Sequence, residues 1–220
     1  MFSTCNANQR SVQCQEEDAL STRRKDGAIQ FGSENLRYAF LRAALEECSS
    51  SGPENVSFRA VGRRLGVTAA APYYHFRDRG EILLLLAVEG YYELLERLKA
   101  AEAAAKTPQA KLAAIVRAYL EFGRQERGYY SLMFYREVVM PPNVLKLEEP
   151  AGQSFDLVSG VLKKLTPGLS LTHRSQRVVA IWSYLHGMLL LSAPGLLARR
   201  LAPEHEDQVA IEVCKRIAAS

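Results

Sequence analysis

From Ser33 onward the apolar residues recur at steps of three and four, the spacing of one helix face. A first helix is predicted from Ser33, with Leu36, Phe40, Ala43, Ala44 and Leu45 on its inner side and Ser50, Ser51, Gly52 and Pro53 ending it. Ser57 is an N-cap residue for a second, carrying Phe58, Val61 and Leu65, and Gly66 suits the left-handed turn that closes such a helix. Thr68 can cap a third, in which Ala69, Ala70 and Ala71 leave the outer surface bare, Pro72 sits in the first turn, and Tyr73, Tyr74, His75 and Phe76 close the run. Asp78 caps a long fourth helix to about Ala105, with Ile82, Leu83, Leu86, Val88, Tyr91, Leu94, Leu95 and Leu98 inward. Thr107-Pro108 starts the next, which Gly128 is expected to break. An aromatic helix follows from Tyr129 to Met140, stopped by Pro141-Pro142. After a loop containing Pro150 and Gly152, helices are predicted over Gln153–Leu165, Thr172–Ala193 and, beginning after Pro203, nearly to the C-terminus. No period-two alternation appears, so the fold class is all-α, with about nine helices.

The second and third of these, joined by a short glycine-containing turn, have the form of a helix-turn-helix, whose second helix enters the DNA major groove. Charge adds to this: Arg59, Arg63, Arg64, Arg77 and Arg79 stand against the single acid Asp78. Such a patch suits phosphates, although a solvated helical hairpin with surface arginines has the same pattern. The first helix is expected to brace the pair, with Phe58, Val61, Leu65 and Phe76 as its core partners.

The wording of the stretch carries more information. Gly66-Val67-Thr68, then Ala69-Ala70-Ala71, then Tyr73-Tyr74-His75-Phe76, then Arg79 and Ile82, resembles the DNA-binding motif of the TetR family of bacterial transcriptional regulators. Two positions depart from that pattern. Arg79 stands where the family usually has Lys, replacing a point donor with a fork, and Gly62 stands where it usually has Ala, at a cost of about 1 kcal/mol of helix stability. The resemblance implies that Thr68, Tyr73, His75 and Arg79 touch phosphates while Arg59, Ala69, Ala70 and Tyr74 face base edges, with Ser57 at the start of the second helix beside them. Three parts are implied: a flexible arm over 1–32, a DNA-binding head over 33–78, and a ligand-binding and dimerisation domain over 79–220.

The C-terminal portion carries a resemblance of its own. Trp182-Ser183-Tyr184-Leu185-His186-Gly187 is similar to the Trp…His-Gly signature of one subgroup of TetR-family C-terminal domains, and the segment from Val116 to Phe134 is similar to the same subgroup. In that family the domain implies a small-molecule effector and a homodimer. The residues expected to line the effector site are Tyr119, Phe122, Tyr130, Met133, Phe134, Trp182, His186 and Leu189, which are otherwise ordinary core residues. His186 is either a satisfied core histidine or a ligand contact. With almost no fixed charge in that wall, the effector is expected to be largely apolar. The two last long helices are expected to pair with their copies, leaving Leu185, Met188, Val209 and Val213 as apolar edge.

Composition narrows the rest. A net charge of +4 over 220 residues permits a nucleic-acid partner without requiring one. The polar opening, including Arg23-Arg24-Lys25, reads as an arm that is either a plain solvated tail or a further DNA contact. The first residues lack a secretory apolar run, and no run approaches membrane-spanning length, so a cytoplasmic protein without membrane contact is expected. Cys5, Cys14, Cys48 and Cys214 form no C-x-x-C pair, and the four histidines show no ligand spacing, so no metal or cofactor is expected. No nucleophile elbow, P-loop or Rossmann fingerprint appears, which argues against an enzyme. The reading is a transcriptional repressor that binds a palindromic DNA operator as a homodimer and is released by an apolar effector. The alternative is a TetR-like activator, or a regulator controlled by a partner protein.

Overall fold

The structure, a computed structural model, describes residues 23–25, 28–30, 33–68, 70–140, 143–192 and 201–220. It contains eight α-helices among these residues: α1 (Ser33–Ser51), α2 (Phe58–Arg64), α3 (Arg79–Ala104), α4 (Pro108–Gln125), α5 (Arg127–Met133), α6 (Val144–Leu165), α7 (Leu171–Ser192) and α8 (Pro203–Ala219). Two 3₁₀ turns, Pro53–Asn55 and Ala71–Tyr74, complete the head. The exception to an all-α chain is a small antiparallel ribbon, β1 (Arg23–Lys25) with β2 (Ala28–Gln30), in the register Arg23 to Gln30. The remainder of the predicted arm, with Cys5 and Cys14, lies outside the described residues, as do Pro141 and Pro142.

The start signals act as their chemistry dictates. The Ser57 hydroxyl accepts from the Ala60 N–H at 3.1 Å, and Gly66 takes a left-handed φ of 70°. Asp78 caps α3 through the Glu81 N–H at 2.9 Å, and Thr107 caps α4 through Ala110 at 3.2 Å, with Pro108 in its first turn.

Four elements differ from the pattern. The third predicted helix is only the 3₁₀ turn Ala71–Tyr74. Pro72 has no N–H to return to Thr68; instead Ala71 N–H reaches the Thr68 carbonyl and Tyr73 N–H reaches Ala70, both one residue short of α-helical spacing. The break after α4 falls at Glu126 (φ −101°, ψ 51°), not at Gly128, which lies inside α5. The aromatic helix stops at Met133 rather than Met140, and the β-branched pair Val138-Val139 follows in turns. Finally, α6 begins at Val144, nine residues before the expected Gln153, and contains Pro150. Leu147, Pro150, Ser154, Val158, Val161 and Leu162 form its buried face, so burial outweighs one missing backbone bond of about 3 kcal/mol.

One apolar core runs from head to body, from Phe40 through Ile82 and Leu120 to Ala218. Phe40, Phe58 and Phe76 pack as a triad with ring centroids 6.2 to 6.4 Å apart, as expected for the head. The long α3 is the spine, packing on α4, α5 and α6, while α8 lies on α4 and α7. Of the four edge residues predicted for α7 and α8, Leu185 is only 1% exposed and belongs to the monomer core; Val209 is exposed. The free edge of α7 instead presents Val179 and Leu190. The cause is phase: Val178, Ile181, Leu185 and Leu189 form the inner stripe, and Val179 and Leu190, each one position beyond a stripe residue, turn about 100° away from it. Cys48 and Cys214 are free and buried, and burial pushes both thiols up to about 12, which suits inert small hydrophobes. Among the described residues no helix is long and apolar enough to cross a membrane.

Candidate nucleic-acid interface and effector cluster

The predicted residues fall in two separate places, the head and the body. In the head, Ser57, Arg59, Thr68, Ala70, Tyr73 and Tyr74 are all exposed, and His75 is partly so; Ala69 lies outside the described residues. Tyr73 is 65% and Tyr74 85% exposed, unusual for large aromatic side chains on a folded surface. They differ in support. The Tyr73 ring stands edge-on to Phe58 at 4.9 Å, so the core anchors it and leaves its hydroxyl outward, whereas Tyr74 projects without such a ring partner. Phe76 turns inward, under the Arg37 guanidinium at 5.3 Å.

The basic patch is smaller than the sequence count. Arg64 pairs with Glu46 and Arg77 with Asp78, while Arg79 pairs with Glu137. Among the described residues Arg59 and Arg63 carry no ion-pair partner, and both are exposed on α2 beside the Thr68–Tyr74 segment. Of the five arginines of this patch, these two are the ones without an ion pair among the described residues. Arg79 is the predicted phosphate contact that points elsewhere: its Nε–H donates to the Val56 carbonyl at 2.7 Å, another N–H to the Pro53 carbonyl, and a third to Glu137 at 2.6 Å.

In the body, five of the eight predicted lining residues come together through their rings. Tyr130 contacts Tyr119 at 6.2 Å, Phe122 at 6.5 Å, Phe134 at 5.1 Å and His186 at 5.7 Å, and Phe134 lies 4.2 Å from His186. The hydroxyls form a chain: Tyr119 to Tyr130 at 3.3 Å, then Tyr130 to His186 Nδ1 at 2.6 Å. Burial pushes the Tyr119 phenol up to about 12, raises Tyr130 as well, and lowers the pKa of His186, so the chain is neutral at neutral pH. Phe134 is 41% exposed and is the cluster's outward face.

The other three sit apart. Trp182 packs edge-on to Phe155 at 6.0 Å, Met133 is buried with its sulfur toward Gly90, and Leu189 seats on Gly123. A Cβ on Gly123 would overlap Leu189 Cδ1, so the glycine is what lets α7 close on α4. Tyr91, read from sequence as one more residue on the inner face of α3, joins the cluster: its hydroxyl donates to the Met133 carbonyl at 3.3 Å and its ring meets Phe134 at 6.5 Å. Nothing in helical periodicity separates such a residue from its core neighbours. Two cavities lie at the opposite end of the body. One, of about 290 Å³, is lined by Leu112, Leu165, Thr166 and Ala218 among others, and one of about 650 Å³ by His173, Arg177 and Ile217 among others. Neither is lined by any of the eight predicted residues.

Comparison with known proteins bears on the family and the fold. The family profile described as bacterial regulatory proteins, tetR family, matches residues 40–86, and the tetracyclin repressor-like C-terminal domain profile matches residues 112–215. No curated protein gives a significant match to the sequence. Among solved structures, a protein of unknown function from Rhodococcus sp. RHA1 is 27% identical with a TM-score of 0.71, covering 84% of this chain and 94% of that one. The TetR family transcriptional regulator PfmR from Thermus thermophilus is 18% identical with a TM-score of 0.64, covering 82% and 97%. The transcriptional regulator FadR from Bacillus subtilis, solved in complex with stearoyl-CoA, is 14% identical with a TM-score of 0.62, covering 83% and 97%.

Proposed function

The chain belongs to the TetR family of bacterial regulatory proteins, and we propose that it acts in the cytoplasm as a dimeric repressor of transcription, released from its operator by a largely apolar effector. The observation that carries the DNA-binding half is the pair Tyr73 and Tyr74, exposed on a segment whose preceding residues, Thr68 to Ala71, are small or hydroxylic. Small residues let backbone and aromatic edges approach a groove floor, and Ala70 can meet a thymine methyl. Arg59 reads a base edge; Thr68, Tyr73 and His75 hold phosphates.

A single head binds too few phosphates and bases for operator-level specificity, so two heads acting on a two-fold operator are required. The copy-to-copy contact is assigned to the free edges of α7 and α8, with Val179, Leu190 and Val209 as its exposed apolar positions. The effector enters the Tyr119, Tyr130, Phe134 and His186 cluster. Its aromatic walls and neutral hydrogen-bonding chain favour a flat or hydrophobic molecule with one polar end. To have any effect it must prefer the state in which those rings are parted.

Selection of bound fragments from random DNA tests the reading. The expected product is an inverted repeat whose half-sites lie about one helical turn apart. Sedimentation checks the rest: Leu190→Asp should yield monomers that bind DNA weakly. Recovery of no sequence, or an asymmetric site bound by a monomer, would defeat the proposal.

A further inference from the structure

Arg79 stands first in α3, at the junction of head and body, and its side chain contacts both. On the head side its guanidinium donates to the carbonyls of Pro53 and Val56, the two ends of the turn that delivers the chain from α1 to α2. On the body side it donates to Glu137 Oε2 at 2.6 Å. Glu137 is held in turn, since its other oxygen accepts from the Tyr135 hydroxyl at 3.1 Å, and the Tyr135 ring lies under the Arg79 guanidinium at 5.8 Å. One fork thus joins two backbone carbonyls and a carboxylate, and the Arg79 side chain is 27% exposed. Only a planar guanidinium offers donors in that geometry; an ammonium is a single point and cannot meet all three acceptors.

We propose that Arg79 is a positioning residue, a strut that fixes the Pro53–Val56 turn of the head to the Glu137 segment of the body, and not a phosphate contact. Its place matters because of what lies at each end. The turn sets the direction in which α2 leaves, and with it Arg59 and the Thr68–Tyr74 segment. At the other end, Glu137 follows Phe134 by three residues in a run of turns, and Phe134 is the ring that covers His186. An occupant that displaces Phe134 moves the carboxylate holding the strut. The inference rests on the repressor reading for its consequence, while the strut itself is a property of the isolated protein.

The decisive variants are Arg79→Lys and Glu137→Gln in the full chain, because the two roles of Arg79 assign them opposite behaviour. For a phosphate contact, Lys keeps the charge and the affinity, and removing the Glu137 charge leaves binding equal or tighter. For a strut, Arg79→Lys weakens binding to the selected operator about tenfold, since bonds to a charged donor are lost. Glu137→Gln weakens it only a few-fold, because that carboxylate is mostly exposed. The double variant is no worse than Arg79→Lys alone, and the slope of log affinity against log salt is unchanged. Wild-type affinity in Arg79→Lys, or additive losses in the double variant, would overturn the strut. A measurement without DNA separates this from the repressor reading: amide hydrogen exchange over residues 55–61 should accelerate in both variants while the α4 and α8 core stays protected. Unchanged exchange in both variants would also overturn it, whether or not the chain selects an operator.

Discussion

The adjacent residues Tyr129 and Tyr130 bond to opposite halves of the molecule. The Tyr129 hydroxyl accepts from Arg42 of α1 at 2.7 Å, and the same guanidinium pairs with Glu89 of α3. The Tyr130 hydroxyl meets His186 Nδ1 of α7 at 2.6 Å. Neighbouring positions on a helix point about 100° apart, so a helix of seven residues touches the head through one tyrosine and the aromatic cluster of the body through the next.

The His186 end of this pair is sensitive to acid. Burial lowers the His186 pKa below its ordinary value of 6.5. Just below that value the unfolded chain takes up a proton that the folded chain refuses, so this group's contribution is present above pH 6.5 and is lost as pH falls toward the depressed folded value. A protonated ring carries N–H on both nitrogens, so Nδ1 can then only donate to the Tyr130 oxygen. Thermal unfolding of wild type and His186→Gln at about pH 7.5 and pH 5.5 should therefore differ, with the wild type losing more stability on acidification. Equal losses would mean that the ring titrates as if in water.

Within the head, two substitutions should act in opposite directions. Phe76→Ala empties the centre of the Phe40, Phe58 and Phe76 triad and should cost about 3–5 kcal/mol. Gly62→Ala should stabilise by about 0.5–1 kcal/mol, because Gly62 lies inside α2 and a Cβ there meets only ordinary contacts, 3.7 Å from Phe40 and beyond. Urea titration of each variant reads both signs. A destabilised Gly62→Ala would show that the glycine is needed for a motion absent from this packing.

Gly128 should tolerate nothing larger. A Cβ there would overlap Ser49 Oγ and lie 2.9 Å from the Leu45 carbonyl, so α5 and α1 approach through backbone. Gly90 makes the matching approach on α3, where a Cβ would lie 2.9 Å from Tyr129 Cβ. Gly128→Ala should cost about 1–3 kcal/mol and loosen the Arg42 to Tyr129 bond, seen as faster amide exchange in α1. A neutral outcome would imply that α1 slides freely on α5.

These glycines mark the limit of what the chain could be read for. Ser57, Gly66, Asp78 and Thr107 announced their caps because a cap is a local contract between one side chain and the next turn. The phenylalanine triad followed from helical spacing. Pro150 misled because its cost is local and visible while the burial that offsets it comes from distant helices. Gly128 looked like a helix breaker for the same reason, since its partner α1 lies about eighty residues earlier in the chain and only tertiary packing brings them together. Tyr119, Tyr130, Phe134 and His186 were legible as an aromatic group, but Trp182, one helical turn from His186, turned to Phe155 on a helix whose start the proline had concealed. Arg79 was legible as a charge and not as a fork with three acceptors, because two of those acceptors are backbone carbonyls without any sequence signature.

The exposed pair Tyr73 and Tyr74 offers the sharpest test of the interface, because the residues are adjacent, identical and differently supported. The Tyr73 ring leans on Phe58, so Tyr73→Ala removes part of the head core and should destabilise by about 1–3 kcal/mol, whereas Tyr73→Phe should keep the fold. If its hydroxyl holds a phosphate, Tyr73→Phe weakens binding by a similar factor on every sequence, without changing the salt slope, since no charge is removed. Tyr74 leans on no ring and is 85% exposed, so Tyr74→Ala should leave stability within about 0.5 kcal/mol of wild type. Its loss should appear only on DNA, as lower affinity for the selected operator with relaxed preference at one base position in each half-site. Binding measured against a panel of single-base operator variants separates the two residues. A Tyr74→Ala protein that keeps full operator affinity would remove Tyr74 from the interface and leave Arg59 and Ala70 as the base readers on this face.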